Sequence, residues 1–416
     1  MASYVPRITD AEIEDAVKTA GAVEVRGARA VGKTESARRV AASVIELDTS
    51  DPRAVLAQVQ PATALDGPTP RLLDEWSVVP GLWNEVRREV DRRRTPGQFL
   101  LTGSAWPDED TRRHSGAGRI QQVTMRTMTL LETGHSTGAV SLRALIEGKE
   151  PGLAESSCTF HDVVERLVVG GWPGWWDSTE HAAAGRIRSY IADIAEHDFT
   201  RVAGRRRDPR RMTAFLRALA GVEAQTGTYA AVARRINDEA SLAVSEQTIP
   251  DLFDFAARMY LIEDQLAWSP TLYSRTPLLQ LPKRHLADPS LAAGLLGAGV
   301  DRLLAEPETA GFLFEAQVTH DIRVYVQSLG WREVAHFRDA KGRDEIDVIV
   351  EADDGRWLGM EVKLGLGGVD AAAENLRRVA AKITKPASAL VIVVPVGVAH
   401  RRSDGVDVVP LTVLGP

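Results

Sequence analysis

The stretch Gly27-Ala28-Arg29-Ala30-Val31-Gly32-Lys33-Thr34 decides how the first part of this chain folds. It follows the pattern G-x-x-x-x-G-K-[ST], in which two glycines let successive backbone N–H groups turn towards phosphate oxygens. Lys33 is then placed to reach the β- and γ-phosphates of a nucleotide, and the Thr34 hydroxyl to ligate Mg²⁺. We therefore expect this loop, together with the following Glu35, to bind ATP and Mg²⁺.

The segments around the loop predict an α/β domain built on a parallel sheet. Residues 22–25 predict a strand before the loop, and residues 35–42 predict a helix whose N-terminus faces the phosphates. Further strands are predicted at residues 44–48, 71–75 and 98–104, and an amphipathic helix at residues 82–94. Because these strands alternate with helices, we expect both faces of the sheet to be covered and ligands to bind at the carboxyl ends of the strands.

Polar side chains stand at two of those carboxyl ends. We expect Asp74 to hold Mg²⁺ opposite Thr34, directly or through water. Its neighbour Glu75 is placed to activate the attacking water as a general base. Ser104 or Thr102 is expected to hydrogen-bond that water or the γ-phosphate. The order of these residues along the chain therefore predicts hydrolysis as well as binding of ATP.

This order of motifs resembles that of the AAA-type ATPases, and more closely a prokaryotic branch in which a small ATPase domain precedes a domain of unknown function. The family carries a strand ending in Asp-Glu and then Leu-Thr-Gly-Ser, as in Asp74-Glu75 and residues 101–104. A Gly-Arg pair follows in the family, matched here by Gly118-Arg119. The resemblance implies that Arg119 is a candidate sensor or arginine finger, with Arg112 and Arg113 as rivals. It also implies that an oligomer is possible, because AAA-type ATPases often form rings.

Glu35 departs from the family pattern, which usually has a second threonine or serine after the loop. A carboxylate beside the phosphates would weaken nucleotide binding through like-charge repulsion. In the first turn of a helix, the same carboxylate would instead complement the positive end of the helix dipole. The sequence leaves both interpretations open.

The composition is that of a globular chain without disulfides. The 416 residues carry a net charge of −7, so any contact with nucleic acid would need a local basic patch such as Arg92-Arg93-Arg94. The single cysteine, Cys158, excludes an intramolecular disulfide and fits a reducing cytosol. The longest apolar run, residues 389–398, has about half the length needed to cross a bilayer. We therefore expect a cytoplasmic protein without a membrane partner.

The middle of the chain predicts a helix–turn–helix pair. Residues 229–237 and 245–260 have helical patterns, and residues 261–268 are expected to form a wing strand. Winged-helix folds bind DNA or dock other proteins. Glu246 and Asp251 lie at the end of the second helix that would enter a DNA groove, which favours a protein contact.

A second group of candidate residues lies near the C-terminus. Residues 345–350 and 357–363 predict two strands of a hairpin. Glu361 and Lys363 share one face of the second strand, and Asp347 on the neighbouring strand can face them. Carboxylates so placed can hold one or two Mg²⁺ ions, and a lysine can position water or stabilise a phosphorane-like charge. The pattern Asp…Glu-x-Lys resembles the core of restriction endonucleases, which implies that Glu315, in a preceding helix, is the additional acid.

The sequence as a whole predicts an α/β chain: a P-loop NTPase domain with a parallel sheet, then a helical winged-helix-like region, then an α/β endonuclease-like domain. The expected domains are an AAA-type ATPase at residues 1–135, a helical linker or lid at 136–205, a winged-helix-like domain at 206–290 and an endonuclease-like domain at 291–416. The leading hypothesis is a Mg²⁺-dependent ATPase whose nucleotide state controls the C-terminal module. One alternative is a metal-dependent nuclease or DNA-binding protein with ATP as a conformational ligand, and another is a nucleotide-gated scaffold for a protein partner.

Overall fold

The fold is that of a computed structural model, in which the chain divides into two compact units. One unit comprises Met1–Thr127 with Asp254–Leu261, and the other comprises Met128–Phe253 with Ile262–Pro416. The structure describes residues 4–79, 81–103, 116–199, 208–240, 244–271, 280–339 and 342–416. The candidates Ser104, Arg112 and Arg113 lie outside these described residues.

The first unit alternates strands with helices, as the sequence predicts. Its helices are α1 (Ile8–Thr19), α2 (Lys33–Val40), α3 (Pro52–Val59) and α4 (Leu82–Arg93), with 3₁₀ turns at Pro61–Leu65 and Trp76–Val78. Its strands are β1 (Ala22–Arg26), β2 (Ser43–Glu46), β3 (Arg71–Asp74), β4 (Phe99–Gly103) and β5 (Ile120–Thr124). The strands form one sheet in the order β2-β3-β4-β1-β5, and every pairing is parallel.

The core of this unit explains why the sheet is parallel. The strands β3 and β4 are buried along their whole length, as strands covered on both faces must be. Trp76 and Trp83 are buried with their ring centroids 5.1 Å apart, and they pack with Phe99 and Leu101 of β4 in one cluster. This packing fixes β3 and β4 side by side, so that the two strands end at the same edge of the sheet.

The second unit begins with helices and two short strands. These elements are β6 (Val140–Ser141), α5 (Leu142–Ile146), β7 (Ala154–Glu155), α6 (Phe160–Val169) and α7 (Glu180–Asp193), which continues as a π-helical turn over Ile194–Asp198. The helices start where side chains can satisfy their free N–H groups: Thr159 caps α6 in a capping box, and Thr179 caps α7.

The described residues of the central part form helices and a three-stranded antiparallel sheet, and the last of these helices, α10, has its residues from Asp254 onwards in the first unit. The elements are α8 (Pro209–Ala220), β8 (Gln225–Thr226), α9 (Tyr229–Ala240), α10 (Ile249–Arg258), β9 (Ile262–Gln265) and β10 (Lys283–Leu286). The sheet order is β8-β10-β9. The helical patterns predicted for α9 and α10 and the strand predicted after them are confirmed, whereas β8 and β10 were not predicted.

The C-terminal part is a mixed seven-stranded sheet with helices. The elements are α11 (Pro289–Leu296), α12 (Val300–Ala305), α13 (Pro307–Ser328), β11 (Ala335–Arg338), β12 (Glu345–Glu351), β13 (Trp357–Val362), α14 (Val369–Ala380), β14 (Ala389–Val394), β15 (Val398–Arg401), β16 (Asp407–Pro410) and β17 (Leu414–Gly415). The sheet order is β11-β12-β13-β14-β16-β15-β7, and β17 pairs separately with β6. Strands from before the helical region therefore complete the C-terminal part, which sequence order alone did not indicate.

The apolar run near the C-terminus forms a central strand of this sheet. Residues Ala389–Val394 are almost entirely buried as β14, which pairs in parallel with β13 and β16. Across the described ranges of the chain, the structure shows no helix with both the length and the apolar character needed to cross a membrane.

Candidate functional site

The predicted phosphate loop connects β1 to α2 and has the backbone shape that its glycines allow. Gly27 has φ +152°, and a Cβ atom there would lie 2.0 Å from the carbonyl oxygen of Met125. Gly32 adopts the left-handed conformation, with φ 98°, and forms the N-cap of α2. Any side chain at Gly27 would therefore push the loop away from β5.

Lys33 is folded back onto the loop that precedes it. Its Nζ atom donates to the carbonyl oxygens of Gly27 (3.0 Å) and Ala28 (2.7 Å), and the residue is only 5% exposed. Burial lowers the pKa of this lysine to about 8, although the nearby carboxylates of Glu75 and Asp74 oppose the shift. Phosphate oxygens entering the loop would replace the two carbonyl acceptors and favour the charged ammonium.

Asp74 is held between two hydroxyl groups at the carboxyl edge of the sheet. Thr34 Oγ1 donates to Asp74 Oδ1 at 2.7 Å, and Thr102 Oγ1 donates to the same oxygen at 2.5 Å. The predicted pairing of Thr34 with Asp74 is therefore present. A hydroxyl and a carboxylate in contact supply the oxygen ligands that Mg²⁺ prefers, and both residues fit such an ion.

Thr102 has a different environment from the one predicted for it. It is 1% exposed, and its hydroxyl is directed at Asp74. Since the register pairs Asp74 with Thr102 across β3 and β4, the hydroxyl orients the carboxylate instead of standing free for a water molecule or the γ-phosphate. Of the two predicted water-binding residues, Ser104 lies outside the described residues.

Glu75 occupies an unusual backbone position directly after Asp74. It has φ 52° and ψ 43°, in the left-handed region that non-glycine residues seldom adopt. Its charge contributes to the electrostatic field at Lys33, so the side chain lies in the region of the phosphate loop. Non-glycine residues in this conformation cost of order 1 kcal/mol and concentrate at functional sites. Glu35 is exposed in the first turn of α2, which is the position where a carboxylate complements the helix dipole.

Arg119, the candidate sensor or arginine finger, lies at the opposite end of the sheet from the phosphate loop of its own chain. It precedes β5, whose first residue pairs with Ala22 at the start of β1, whereas the phosphate loop follows the end of β1. Five strand residues, or about 16 Å, separate the two ends of the sheet. The Arg119 guanidinium instead pairs with Asp91 of α4, with Nε 2.8 Å from Oδ1.

The second predicted site is assembled from α13, β12 and β13. Lys363 Nζ lies 2.9 Å from Glu361 Oε1, as expected for alternate residues on one strand face. Asp347 Oδ2 accepts a hydrogen bond from the backbone N–H of Val362 at 2.9 Å, which ties β12 to the end of β13. Glu315 of α13 and Asp347 both contact one further residue, described next, so the three predicted carboxylates and the lysine are close together.

The further residue is Lys283 of β10, which the sequence did not indicate. Its Nζ atom lies 2.7 Å from Glu315 Oε1, 2.9 Å from Glu345 Oε1 and 3.1 Å from Asp347 Oδ1. The Lys283 side chain is 4% exposed. Burial by itself would lower the pKa of this lysine, but the surrounding carboxylates raise it well above its usual range. Lys283 is therefore a buried ammonium ion in the middle of the predicted metal site.

Two carboxylates of this cluster are disfavoured in their charged form despite the nearby lysines. Burial, reinforced by Asp347, raises the pKa of Glu315 to about 8 and that of Glu361 to about 7, against the opposing effect of the lysines. Glu361 is 9% exposed, and its Oε2 atom has no hydrogen-bond partner among the residues that the structure describes. The cluster thus retains an unsatisfied buried acceptor, which is costly in a folded protein.

Sequence reasoning missed Lys283, Glu345 as a contact of this cluster and the orienting role of Thr102. Thr102 carries a local signal, because it occupies the strand position that pairs with Asp74 in a parallel sheet. Lys283 carries none, since it is 32 residues from Glu315 and 64 from Asp347 along the chain.

Three parts of the chain match known family models. Residues 20–134 match the AAA domain, residues 160–302 match a domain of unknown function (DUF8612), and residues 310–414 match another domain of unknown function (DUF4143). The AAA match covers the phosphate loop and the strand ends described above. The chain therefore contains an AAA domain followed by two regions whose family descriptions give no activity.

Relatives and solved structures add little about function. Uncharacterized proteins of Mycobacterium tuberculosis and Mycobacterium bovis are each 27% identical over 361 residues, which cover 85% of this chain and 72% of the relative. A Walker-type ATPase of Pyrococcus abyssi is similar with a TM-score of 0.44 and 12% identity, over 69% of this chain and 94% of that one. The Drosophila ORC structure with DNA has a TM-score of 0.17 and 14% identity, over 69% and 84%. Likenesses this weak support no conclusion about the present chain.

Proposed function

We propose that this protein is a Mg²⁺-dependent ATPase whose nucleotide state controls its C-terminal module. The observation that carries the proposal is the contact of Thr34 with Asp74 at the carboxyl edge of the sheet, beside a loop that buries Lys33. A hydroxyl, a carboxylate and an ammonium are the three groups that hold Mg²⁺ and the β- and γ-phosphates in phosphoryl transfer. The AAA match over the same residues agrees with it.

Each residue then has a separate task in hydrolysis. Lys33 leaves the carbonyls of the loop and binds the β- and γ-phosphates, while Gly27 and Gly32 allow backbone N–H groups to face them. Thr34 and Asp74 would hold Mg²⁺, which would neutralise charge on the phosphates, and Thr102 orients the Asp74 carboxylate. Glu75 accepts a proton from the attacking water.

ATP turnover in the presence of Mg²⁺ tests this proposal. We expect Lys33→Ala to lose ATP binding and turnover, and Glu75→Gln to keep binding while turnover falls at least about 100-fold, the usual contribution of a general base. Glu14→Gln, which changes an exposed glutamate of α1, is the matched control and should behave as wild type. Undiminished hydrolysis in both site variants would overturn the proposal.

For the second unit, we propose a winged-helix-like region and an endonuclease-like region. The order helix–strand–helix–helix–strand–strand from α8 to β10 supports the former. The grouping of Glu315, Asp347 and Glu361 with Lys363 supports a divalent-cation site in the latter, because carboxylate oxygens are ligands for Mg²⁺ and Mn²⁺. The ions would be held by these three carboxylates and supply Lewis-acid chemistry to a phosphodiester.

DNA cleavage is the second candidate function, and Glu361 favours it, because its Oε2 atom has no hydrogen-bond partner among the described residues. Incubation of DNA with the protein and Mg²⁺ or Mn²⁺ tests it, with Lys363→Ala as the site variant. Cleavage that persists in Lys363→Ala would point to contamination and contradict this site. A protein partner is favoured by two acidic residues, Glu246 in the 3₁₀ turn before α10 and Asp251 in the first turn of α10. If such a partner is the target, its capture should depend on ATP.

A further inference from the structure

The position of Lys283 relative to the carboxylates is that of a bound cation. Its ammonium group lies within 3.1 Å of oxygens from three carboxylates on two different elements, α13 and β12. Carboxylate oxygens that meet around one buried positive centre are also the kind of ligand that a hard divalent metal ion takes, at shorter distances than these. The ammonium donates hydrogen bonds to Glu315 and Asp347 and forms an ion pair with Glu345.

The strand that carries Lys283 is fixed in this place by its neighbour. Lys283 pairs with Gln265 across β10 and β9, and Gln265 is fully buried. Gln265 Nε2 donates to the backbone carbonyl of Asp347 at 2.8 Å and to that of Ala335 at 2.9 Å. One residue of the pair thus binds the backbone of Asp347 and the other its side chain, so the lysine is positioned and not merely nearby.

The charges in this cluster do not balance when Lys283 is the occupant. The carboxylates are Glu315, Glu345, Asp347 and Glu361, and the ammonium groups are those of Lys283 and Lys363. With every group ionised, four negative charges face two positive ones. The Glu361 side chain is 12% exposed, and its Oε2 atom has no hydrogen-bond partner within the part of the chain that the structure describes. If a divalent ion replaced the monovalent ammonium of Lys283, the excess of negative charge would fall from two to one.

We propose that Lys283 competes with a divalent cation for the carboxylates of the C-terminal cluster. While its ammonium group lies among these carboxylates the cluster does not bind metal, and binding requires the Lys283 side chain to withdraw. This rests on the proposed function in one respect, namely that Glu315, Asp347 and Glu361 can act as cation ligands. The flexible four-carbon side chain allows the ammonium to leave while β10 stays in place. The ligand class is a hard divalent cation, Mg²⁺ or Mn²⁺, bound by carboxylate oxygens.

Titration with Mn²⁺ alone, followed by electron paramagnetic resonance in the absence of nucleotide, tests this competition. All proteins carry Asp74→Asn, so that the ATP site contributes no metal binding. We expect Lys283→Met, which keeps length but removes charge, to bind one Mn²⁺ at least about tenfold more tightly than the protein with Lys283, as expected when a charge competitor is removed. Lys283→Arg, which keeps the positive charge, is the matched control and should bind as weakly as the lysine form.

Two additions keep the result decisive. Glu315→Gln combined with Lys283→Met should abolish the gained site, and Mn²⁺ should raise the melting temperature of Lys283→Met but not of that double variant. If Lys283→Met does not fold, Lys283→Gln replaces it, because an amide can still donate to Glu315 without carrying charge.

The outcomes separate the two hypotheses. Equal Mn²⁺ binding by the lysine and methionine forms, lost on Glu315→Gln, would overturn the competition and leave the cation site standing. No Mn²⁺ binding in any folded variant would overturn both the competition and the cation site. Binding gained in Lys283→Met and lost in the double variant would support both.

Discussion

The buried, low-pKa lysine of the phosphate loop makes ATP binding dependent on pH in a specific direction. Lys33 has a pKa of about 8 in the protein without nucleotide, because burial disfavours its charge. A fall from the usual 10.5 corresponds to about 3 kcal/mol of differential interaction between the two protonation states. Bound phosphates favour the ammonium, so above pH 8 the protein must take up a proton when ATP binds.

The magnitude follows from the fraction of charged lysine in the free protein. That fraction is about nine-tenths at pH 7 and about one-tenth at pH 9 for a pKa of about 8, so the Kd for MgATP should rise about tenfold between these pH values. Isothermal titration calorimetry in two buffers of different ionisation enthalpy measures the proton uptake directly. Near pH 8 we expect uptake of about half a proton for each ATP bound.

The matched control is Lys33→Arg, whose guanidinium stays charged across this range. Its ATP affinity is expected to be nearly independent of pH from 7 to 9, whatever its absolute value. Lys33→Met should bind weakly with an equally flat profile, because no ammonium is left to titrate. A flat wild-type profile, or an identical slope in Lys33→Arg, would refute the assignment of the proton to Lys33.

Two further predictions concern groups outside the phosphate loop. Glu223 is 2% exposed, and burial raises its pKa to about 8. Between about pH 4.5 and pH 8 the folded state therefore keeps a proton that the unfolded state has lost. The free energy of unfolding falls as pH rises through this range, because deprotonation favours the unfolded state. Glu223→Gln should unfold at nearly the same denaturant concentration as wild type at pH 5 and be more stable at pH 9, by up to about 4 kcal/mol; a constant difference at all pH values would contradict this. Arg119→Ala should hydrolyse ATP at a near-wild-type rate in dilute, monomeric protein, because Arg119 pairs with Asp91 at the opposite end of the sheet. Asp91→Ala, which removes the partner of Arg119, is the control. Size-exclusion chromatography with and without a non-hydrolysable ATP analogue reports the oligomeric state. A loss of turnover in the monomer would show that the arginine acts within one chain.

Local patterns in the sequence determined the elements of this protein and the first of its two sites. The loop that ends in Lys33 and Thr34 is one continuous segment between a strand and a helix, so spacing alone fixes its backbone. Asp74 followed from the alternation of strands and helices, because parallel strands that end at one edge bring their last residues together. The hairpin geometry of Glu361 and Lys363 was likewise local, since alternate residues of a strand share a face.

Contacts between these residues and distant segments of the chain depend on tertiary packing, which local sequence patterns do not predict. Arg119 matches a family motif in sequence, and the register of β5 against β1 places it at the opposite end of the sheet from the phosphate loop of the same chain. Lys283 reaches Glu315 and Asp347 because β10 pairs with β9, and Gln265 of β9 is hydrogen-bonded to Asp347 of β12. The spacing of residues along the sequence does not predict such a contact between distant strands. The sequence therefore determined which side chains are available for chemistry at the two sites. Long-range packing determined which charged groups lie next to them, as Lys283 lies next to Glu315 and Asp347.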